Sequence, residues 1–198
     1  MKKLNLMLAV ACAALTMQAC HHSTSASATD STTTTVVKTD SSKVSDTSKM
    51  ASASVDTADT SFAVKAASGG MTEIAASKLA VQISQNAKVK DFANMMISDH
   101  TMAGDKLTAI AKAKNITLPS GPNTMQQQAL TALSKKTGSD FNIAYVNQMV
   151  KDHKETIAMF ESAQSTVKDT TLKAFITGTL PTLHKHLNAI TALKNSMK

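Results

Sequence analysis

Apolar residues recur at helical spacing almost without a break from Asp59 to the end of the chain. Such spacing lines up one apolar stripe on each helix, and the stripe must pack against a core. Aromatic residues make up only 3% of the sequence and Trp is absent, so aliphatic side chains and Met must fill that core, which suits helices. Long helices are predicted approximately over residues 59–84, 87–114, 139–166 and 169–196, and a short helix over 123–136.

This pattern predicts an all-α fold, a four-helix bundle with the short helix in the connection between the second and third long helices. That connection is the longest and contains Leu118-Pro119 and Gly121-Pro122, so it is long enough to cross the bundle. We expect Thr60 or Ser61 to cap the first helix.

A nine-residue block occurs twice, as Phe92–His100 and again as Tyr145–His153. Both copies read aromatic, any, Asn, any, Met, Ile or Val, any, Asp, His, and their offset of 53 residues suggests duplicated helix pairs. Each block ends in an adjacent Asp-His pair within a helical stretch. Two histidines on core-facing stripes of two helices predict a polar site inside the bundle.

Each long helix carries one polar residue on its apolar stripe: Glu73, His100, His153 and His186. Asp99 and Asp152 flank two of the histidines and can accept hydrogen bonds from them. Polar groups that converge in a bundle can bind a metal, and imidazole and carboxylate ligands suit zinc, iron, manganese or copper. The alternative is a buried hydrogen-bonded network without an ion. Gly69-Gly70, one turn before Glu73, either kinks the first helix or lets another helix approach.

Two further features limit the metal hypothesis. Ferritin-type di-iron sites use Glu-x-x-His on two helices, whereas Ile97, Val150 and Leu183 occupy the position three residues before the histidines here. A ferroxidase mechanism is therefore not supported. Methionines near the histidines would suit Cu(I), but Met at helical spacing also fills cores; they are Met95, Met96, Met102, Met149 and Met159.

The first nineteen residues are predicted to be a signal peptide, with Lys2 and Lys3 before a short apolar run. The run leads to Ala19-Cys20, which resembles the lipobox of bacterial lipoproteins, although Met17 and Gln18 depart from its usual residues. We expect lipidation at Cys20 and anchoring on the periplasmic side of the cell envelope, in the outer membrane. The alternative is an ordinary secretory signal that is cleaved nearby.

Residues 20–58 are rich in Ser and Thr and hold almost no large apolar side chains. We expect a disordered linker, because such a stretch buries too little surface to offset the entropy of ordering it. The net charge of +7 comes from Lys alone, since the chain has no Arg. Arg provides most bidentate base and phosphate contacts, so nucleic acid is not an expected partner.

Several motifs together resemble a bacterial domain-of-unknown-function family of ferritin-like envelope proteins (DUF 4142 type). They cover the region 59–198 and lie at Phe62–Glu73, Val89–His100, Leu118-Pro119, Phe141–His153 and Leu180–Leu187. The resemblance implies a ferritin-like four-helix bundle. It also implies polar positions at Glu73, Asp99, His100, Asp152, His153 and His186. It implies no activity.

Three functions remain open at this stage. The first is a lipid-anchored envelope protein, a binding or stress-related one, whose bundle interior holds a metal such as zinc, iron or copper. The second is a structural or interaction module with a metal-free buried network, and the third is a metal-dependent redox enzyme. A non-enzymatic role is favoured, because no activated nucleophile or phosphate-binding loop is present. The membrane is the expected partner, and the sequence leaves open a homo-oligomer and any small-molecule ligand.

Overall fold

A computed structural model describes residues 56–197, which form five helices and no strand. The all-α helical bundle predicted from the sequence is confirmed. The predicted signal peptide, Cys20 and nearly all of the predicted linker lie outside the described residues. Within residues 56–197, no helix is both long enough and apolar enough to span a membrane. The helices are α1 (Thr57–Ile83), α2 (Ala87–Ala113), α3 (Thr124–Ser134), α4 (Gly138–Thr166) and α5 (Thr170–Asn195).

Helix α1 begins earlier than the periodicity predicts. The carboxylate of Asp56 accepts a hydrogen bond of 2.8 Å from the backbone N–H of Ala58, so Asp56 is the N-cap. Thr60 and Ser61, which were expected to cap the helix, lie inside it. The predicted cap was wrong because the first turn of α1 is polar, and apolar periodicity does not detect a polar turn. Asp56, in extended conformation, accepts a hydrogen bond from one of the free N–H groups of that first turn.

The long helices pack as a ring in which α1 and α5 each contact both α2 and α4. At one end of the bundle, the Asp59 carboxylate accepts a hydrogen bond of 2.7 Å from the backbone N–H of Lys168, and Lys114 pairs with Asp169. At the opposite end, the Ser84 hydroxyl donates to the Asn142 side chain at 2.6 Å. The end of α2 and the start of α4 are therefore at opposite ends, so their connection crosses the length of the bundle.

Helix α3 lies in this crossover and packs on α1 and α4. Asn123 caps it in a capping box with Gln126, and Gln126 also accepts a hydrogen bond of 2.6 Å from the Ser68 hydroxyl of α1. Leu133 is the buried residue of α3 and joins the core. The crossover is thus attached along its length by both polar and apolar contacts.

The core consists of two apolar clusters, one towards each end of the bundle. The proximal cluster, near the start of α1, contains Phe62, Leu107, Phe160, Ile176 and Leu183 among others. The distal cluster, near the end of α1, contains Phe92, Met96, Tyr145, Met149 and Ile190 among others. On every long helix a buried polar residue lies between the residues of the two clusters: Glu73, His100, His153 and His186.

Candidate metal centre

The four buried polar residues form one layer across the middle of the bundle, each supplied by a different long helix. Glu73 is 2% exposed, His100 8%, and His153 and His186 0%. They face inward because each occupies the core-facing position of its helix, four residues after Met96 or Met149 in the case of His100 and His153. The structure therefore brings together all four residues that the sequence predicted for the site.

The three histidine rings are arranged as a nearly equilateral triangle. Ring centroids are 5.8 Å apart for His100 and His153, 5.3 Å for His100 and His186, and 5.5 Å for His153 and His186. One nitrogen of each ring lies within 4.8 Å of one nitrogen of each of the others. Three imidazoles with converging nitrogens are a donor set that many transition metals accept.

Each ring has one nitrogen held by a protein oxygen. His153 Nδ1 is 2.8 Å from the carbonyl oxygen of Met149, and His186 Nε2 is 2.9 Å from Asp99 Oδ2. His100 Nδ1 is 3.1 Å from Glu73 Oε2. Because the carbonyl and carboxylate oxygens accept, His153 and His186 carry their protons on these outer nitrogens, and their other nitrogens present lone pairs.

The remaining nitrogen of each ring is buried and has no hydrogen-bond partner: His100 Nε2, His153 Nε2 and His186 Nδ1. The fourth unpartnered buried atom of the described residues is Glu73 Oε1. Buried polar atoms are nearly always hydrogen-bonded, so unsatisfied atoms concentrated in one layer indicate a ligand site. The sequence indicated the histidines but not which nitrogen of each would remain free.

The carboxylates have different positions from those that sequence proximity suggests. Asp99 pairs with His186 of α5 rather than with its sequence neighbour His100. Glu73 lies on the outer side of the rings, 3.5 Å from His153 Nδ1 as well as 3.1 Å from His100 Nδ1, and is not among the three groups that could jointly hold an ion. Asp152 is half-buried, and burial raises the pKa of its carboxyl group.

Burial dominates the protonation of this layer. It raises the pKa of Glu73 to about 8, with a further contribution from the charge of Asp152. Burial, followed by the neighbouring histidines, lowers the pKa of His100 to about 3, and burial lowers that of His153 to about 4. The pKa of His186 is also lowered by burial, although Asp99 opposes this shift. The imidazoles are therefore neutral at pH 7, which is the form that binds metals.

The other candidate residues, methionines and one histidine, differ in where they lie relative to the layer. Met96 and Met149 are fully buried in the distal cluster, as core-filling residues are, and Met102 is 54% exposed. His184 is exposed and lies 3.7 Å from Glu161 on the surface. The placement of Met96, Met149 and Met102 therefore does not support a thioether site for Cu(I), whereas Met159 lines a cavity together with His100 and His186.

A cavity of about 490 Å³ adjoins the layer on the side of the proximal cluster. Glu73, Asp99, His100 and His186 are among its lining residues, whereas His153 is not. Nothing in the helical periodicity predicted this cavity, since its walls come from all four long helices and from the crossover.

A family model described as "Domain of unknown function (DUF4142)" matches residues 44–193. The match confirms the family resemblance that the motifs indicated. Comparisons with curated proteins and with solved structures found no match.

Proposed function

The chain belongs to the DUF4142 family, and we propose that it binds one divalent transition-metal ion through His100 Nε2, His153 Nε2 and His186 Nδ1. The observation that supports this most directly is that these three buried nitrogens lack partners while the opposite nitrogen of each ring is held by an oxygen. Metal-binding histidines usually have this arrangement, because a carboxylate or carbonyl on the outer nitrogen fixes the tautomer and orients the ring; here the Met149 carbonyl does so for His153 and Asp99 does so for His186.

A metal-free polar network explains the layer less well. In such a network the three nitrogens and Glu73 Oε1 would stay buried and unpaired, and each unpaired group costs about 1–3 kcal/mol. One ion satisfies all three nitrogens at once. A bond length of about 2.0–2.1 Å places the nitrogens of a tetrahedral ion about 3.3 Å apart, so rings whose nitrogens now lie within 4.8 Å of one another need to close in by at most about 1.5 Å.

The donor set favours zinc or copper over manganese, because all three ligand atoms are imidazole nitrogens. Three protein ligands also leave a fourth position for water or another molecule, as in catalytic rather than structural zinc sites. Elemental analysis of protein purified without a His-tag tests the proposal. About one equivalent of metal per chain is expected, and a protein that neither contains metal nor takes up added zinc would contradict it.

Asp99→Asn should weaken zinc binding by about 10–100-fold, because the carboxylate orients His186 and increases its basicity. The fold should stay intact, since the amide has the same shape and Asp99 lies at the edge of the layer. Competition with a chelator of known affinity measures the effect. Asp91→Asn, which replaces an exposed Asp on the same helix, is the matched control. Equal zinc affinity in both variants would show that Asp99 does not support a metal ligand.

We also propose that the bundle is ferritin-like, because a single long crossover between two helical hairpins is the connection that ferritin-like folds use. The chemistry would nevertheless differ from that of di-iron proteins. Those proteins use carboxylates as ligands from all four helices, whereas Glu73 is the one carboxylate in this layer. A site for one ion is therefore expected, rather than a ferroxidase centre.

The proposed location is the periplasmic side of the bacterial cell envelope, with Cys20 as the lipid anchor. It is supported by the short apolar run that ends in Ala19-Cys20. Cys20→Ser should move the protein from the membrane fraction to the soluble fraction of the envelope. Cys12→Ser, which changes the other cysteine, should leave it in the membrane fraction. Mass spectrometry that finds an unmodified mature N-terminus would contradict the lipid anchor.

A further inference from the structure

The cavity beside the histidine layer has the size and lining of a small-molecule site. Its volume of about 490 Å³ falls within the range of about 300–1,000 Å³ that is usual for ligand pockets. Leu107, Phe160, Phe175 and Leu183 contribute apolar walls. Apolar walls of this kind bind hydrocarbon surface, because its removal from water is favourable.

Three glycines are among the residues that line the cavity. Gly69 and Gly104 line the cavity, and a Cβ atom added at either position would meet nothing within 4 Å. Gly70 also lines it, with His100 Nδ1 at 3.9 Å from the position of its missing Cβ. Glycine is unfavourable inside helices. The helices nevertheless have glycine at these positions, where a larger side chain would fit.

Residues that carry unpartnered buried polar atoms are among those that line the cavity. Glu73, His100 and His186 line it, and they carry the unpartnered atoms Glu73 Oε1, His100 Nε2 and His186 Nδ1. All three side chains are more than nine-tenths buried. A molecule that fills the cavity would therefore contact side chains of the proposed metal centre.

We infer that the cavity binds a small, mainly apolar molecule with one anionic oxygen-donor group, such as a medium-chain monocarboxylate. The chain lies along the apolar walls, and the oxygen occupies the fourth position of the ion that the three histidines hold. An anionic donor is favoured because the three imidazoles contribute no negative charge to a divalent ion. The inference rests on the proposed metal-binding function and adds the class of molecule that reaches the ion.

Titration of the cobalt(II)-loaded protein with octanoate tests the inference. Calorimetry measures binding, and the visible absorption of cobalt reports whether the carboxylate reaches the ion. We expect octanoate to bind and to change the cobalt spectrum. Gly69→Leu combined with Gly104→Leu should weaken octanoate binding at least tenfold and leave cobalt affinity within twofold, because both positions line the cavity and a Cβ at either one meets no atom within 4 Å, those of the histidines included.

Gly178→Leu is the matched control, since Gly178 is also helical and has nothing within 4 Å of an added Cβ but does not line the cavity. It should bind octanoate as the unmodified protein does. Unchanged octanoate binding in the double variant would place the ligand elsewhere and overturn the inference. Octanoate binding without a spectral change would overturn it too, because the carboxylate would then stay at the exposed rim near Lys65 and Lys112.

The two proposals fail in different ways. Cobalt binding without any octanoate binding would overturn the inference about the cavity and leave the proposed metal-binding function standing. A protein that does not bind cobalt or zinc would overturn the metal-binding function. The carboxylate of the ligand would then have no ion to coordinate, so the inference about the cavity would be overturned as well.

Discussion

His153→Ala is expected to lower zinc affinity by more than a hundredfold. Loss of a residue that only supports a metal ligand costs about 10–100-fold, and this substitution removes a ligand itself. His153 is completely buried and the cavity does not reach it, and the carboxylate oxygen closest to it, Glu73 Oε1, lies against its outer nitrogen Nδ1 rather than beside its Nε2. Isothermal titration with zinc, with a competing chelator for the unmodified protein, measures the change.

The same variant should lose the thermal stabilisation by zinc. Zinc at about 100 times its Kd stabilises a native protein by about 2.7 kcal/mol, which corresponds to a rise in Tm of about 5–10 °C for a chain of this size. We expect that rise for the unmodified protein and for His184→Ala, which changes an exposed histidine of α5. An equal rise in His153→Ala would contradict the proposed site.

The second large effect is that the metal-free protein should be most stable near pH 7. The pKa of His100 is lowered to about 3 and that of His153 to about 4, and that of His186 is lowered as well. Below pH 6.5 the unfolded chain takes up protons on these residues while the native protein does not, so stability is lost as the pH falls. Glu73, with a pKa raised to about 8, acts in the opposite direction but is one group against three.

Above about pH 7 Glu73 makes the largest contribution within this layer, because the histidines of the unfolded chain have by then lost most of their protons. The native protein keeps the Glu73 proton up to about pH 8, whereas the unfolded chain has already released it, so stability falls as the pH rises. The expected net loss between pH 7 and 8 is less than about 1 kcal/mol, because the three histidines still offset part of the Glu73 contribution there. Chemical denaturation in the presence of a chelator, at intervals of half a pH unit, measures the curve.

Glu73→Gln is the matched variant, because it keeps the size of the side chain and removes its titration. It should abolish the decline above pH 7 and retain the decline below it. A decline above pH 7 of the same size in Glu73→Gln would show that Glu73 is not protonated in the native protein. A wild-type curve that stays flat from pH 4.5 to 6.5 would show that the histidines do not remain neutral on burial.

The sequence was sufficient for the helices and for the inward direction of the site residues. Helical spacing places Met96 and His100 on one face, and Met149 and His153 on another, whatever the neighbouring helices are. The same spacing predicted α2 and α5 to within one or two residues at each end. The first residue of α1 could not be predicted in this way. Asp56 caps the helix through a local hydrogen bond, and such a bond leaves no periodic pattern in the sequence.

The sequence by itself determined that Glu73, His100, His153 and His186 would be buried, since a residue on an apolar stripe must face the core. Only the tertiary structure decided their partners. The pairing of Asp99 with His186 and the position of Glu73 behind His100 depend on how α1, α2 and α5 are rotated and shifted against one another. The side-chain contacts between helices set that register, and no spacing within a single helix records it.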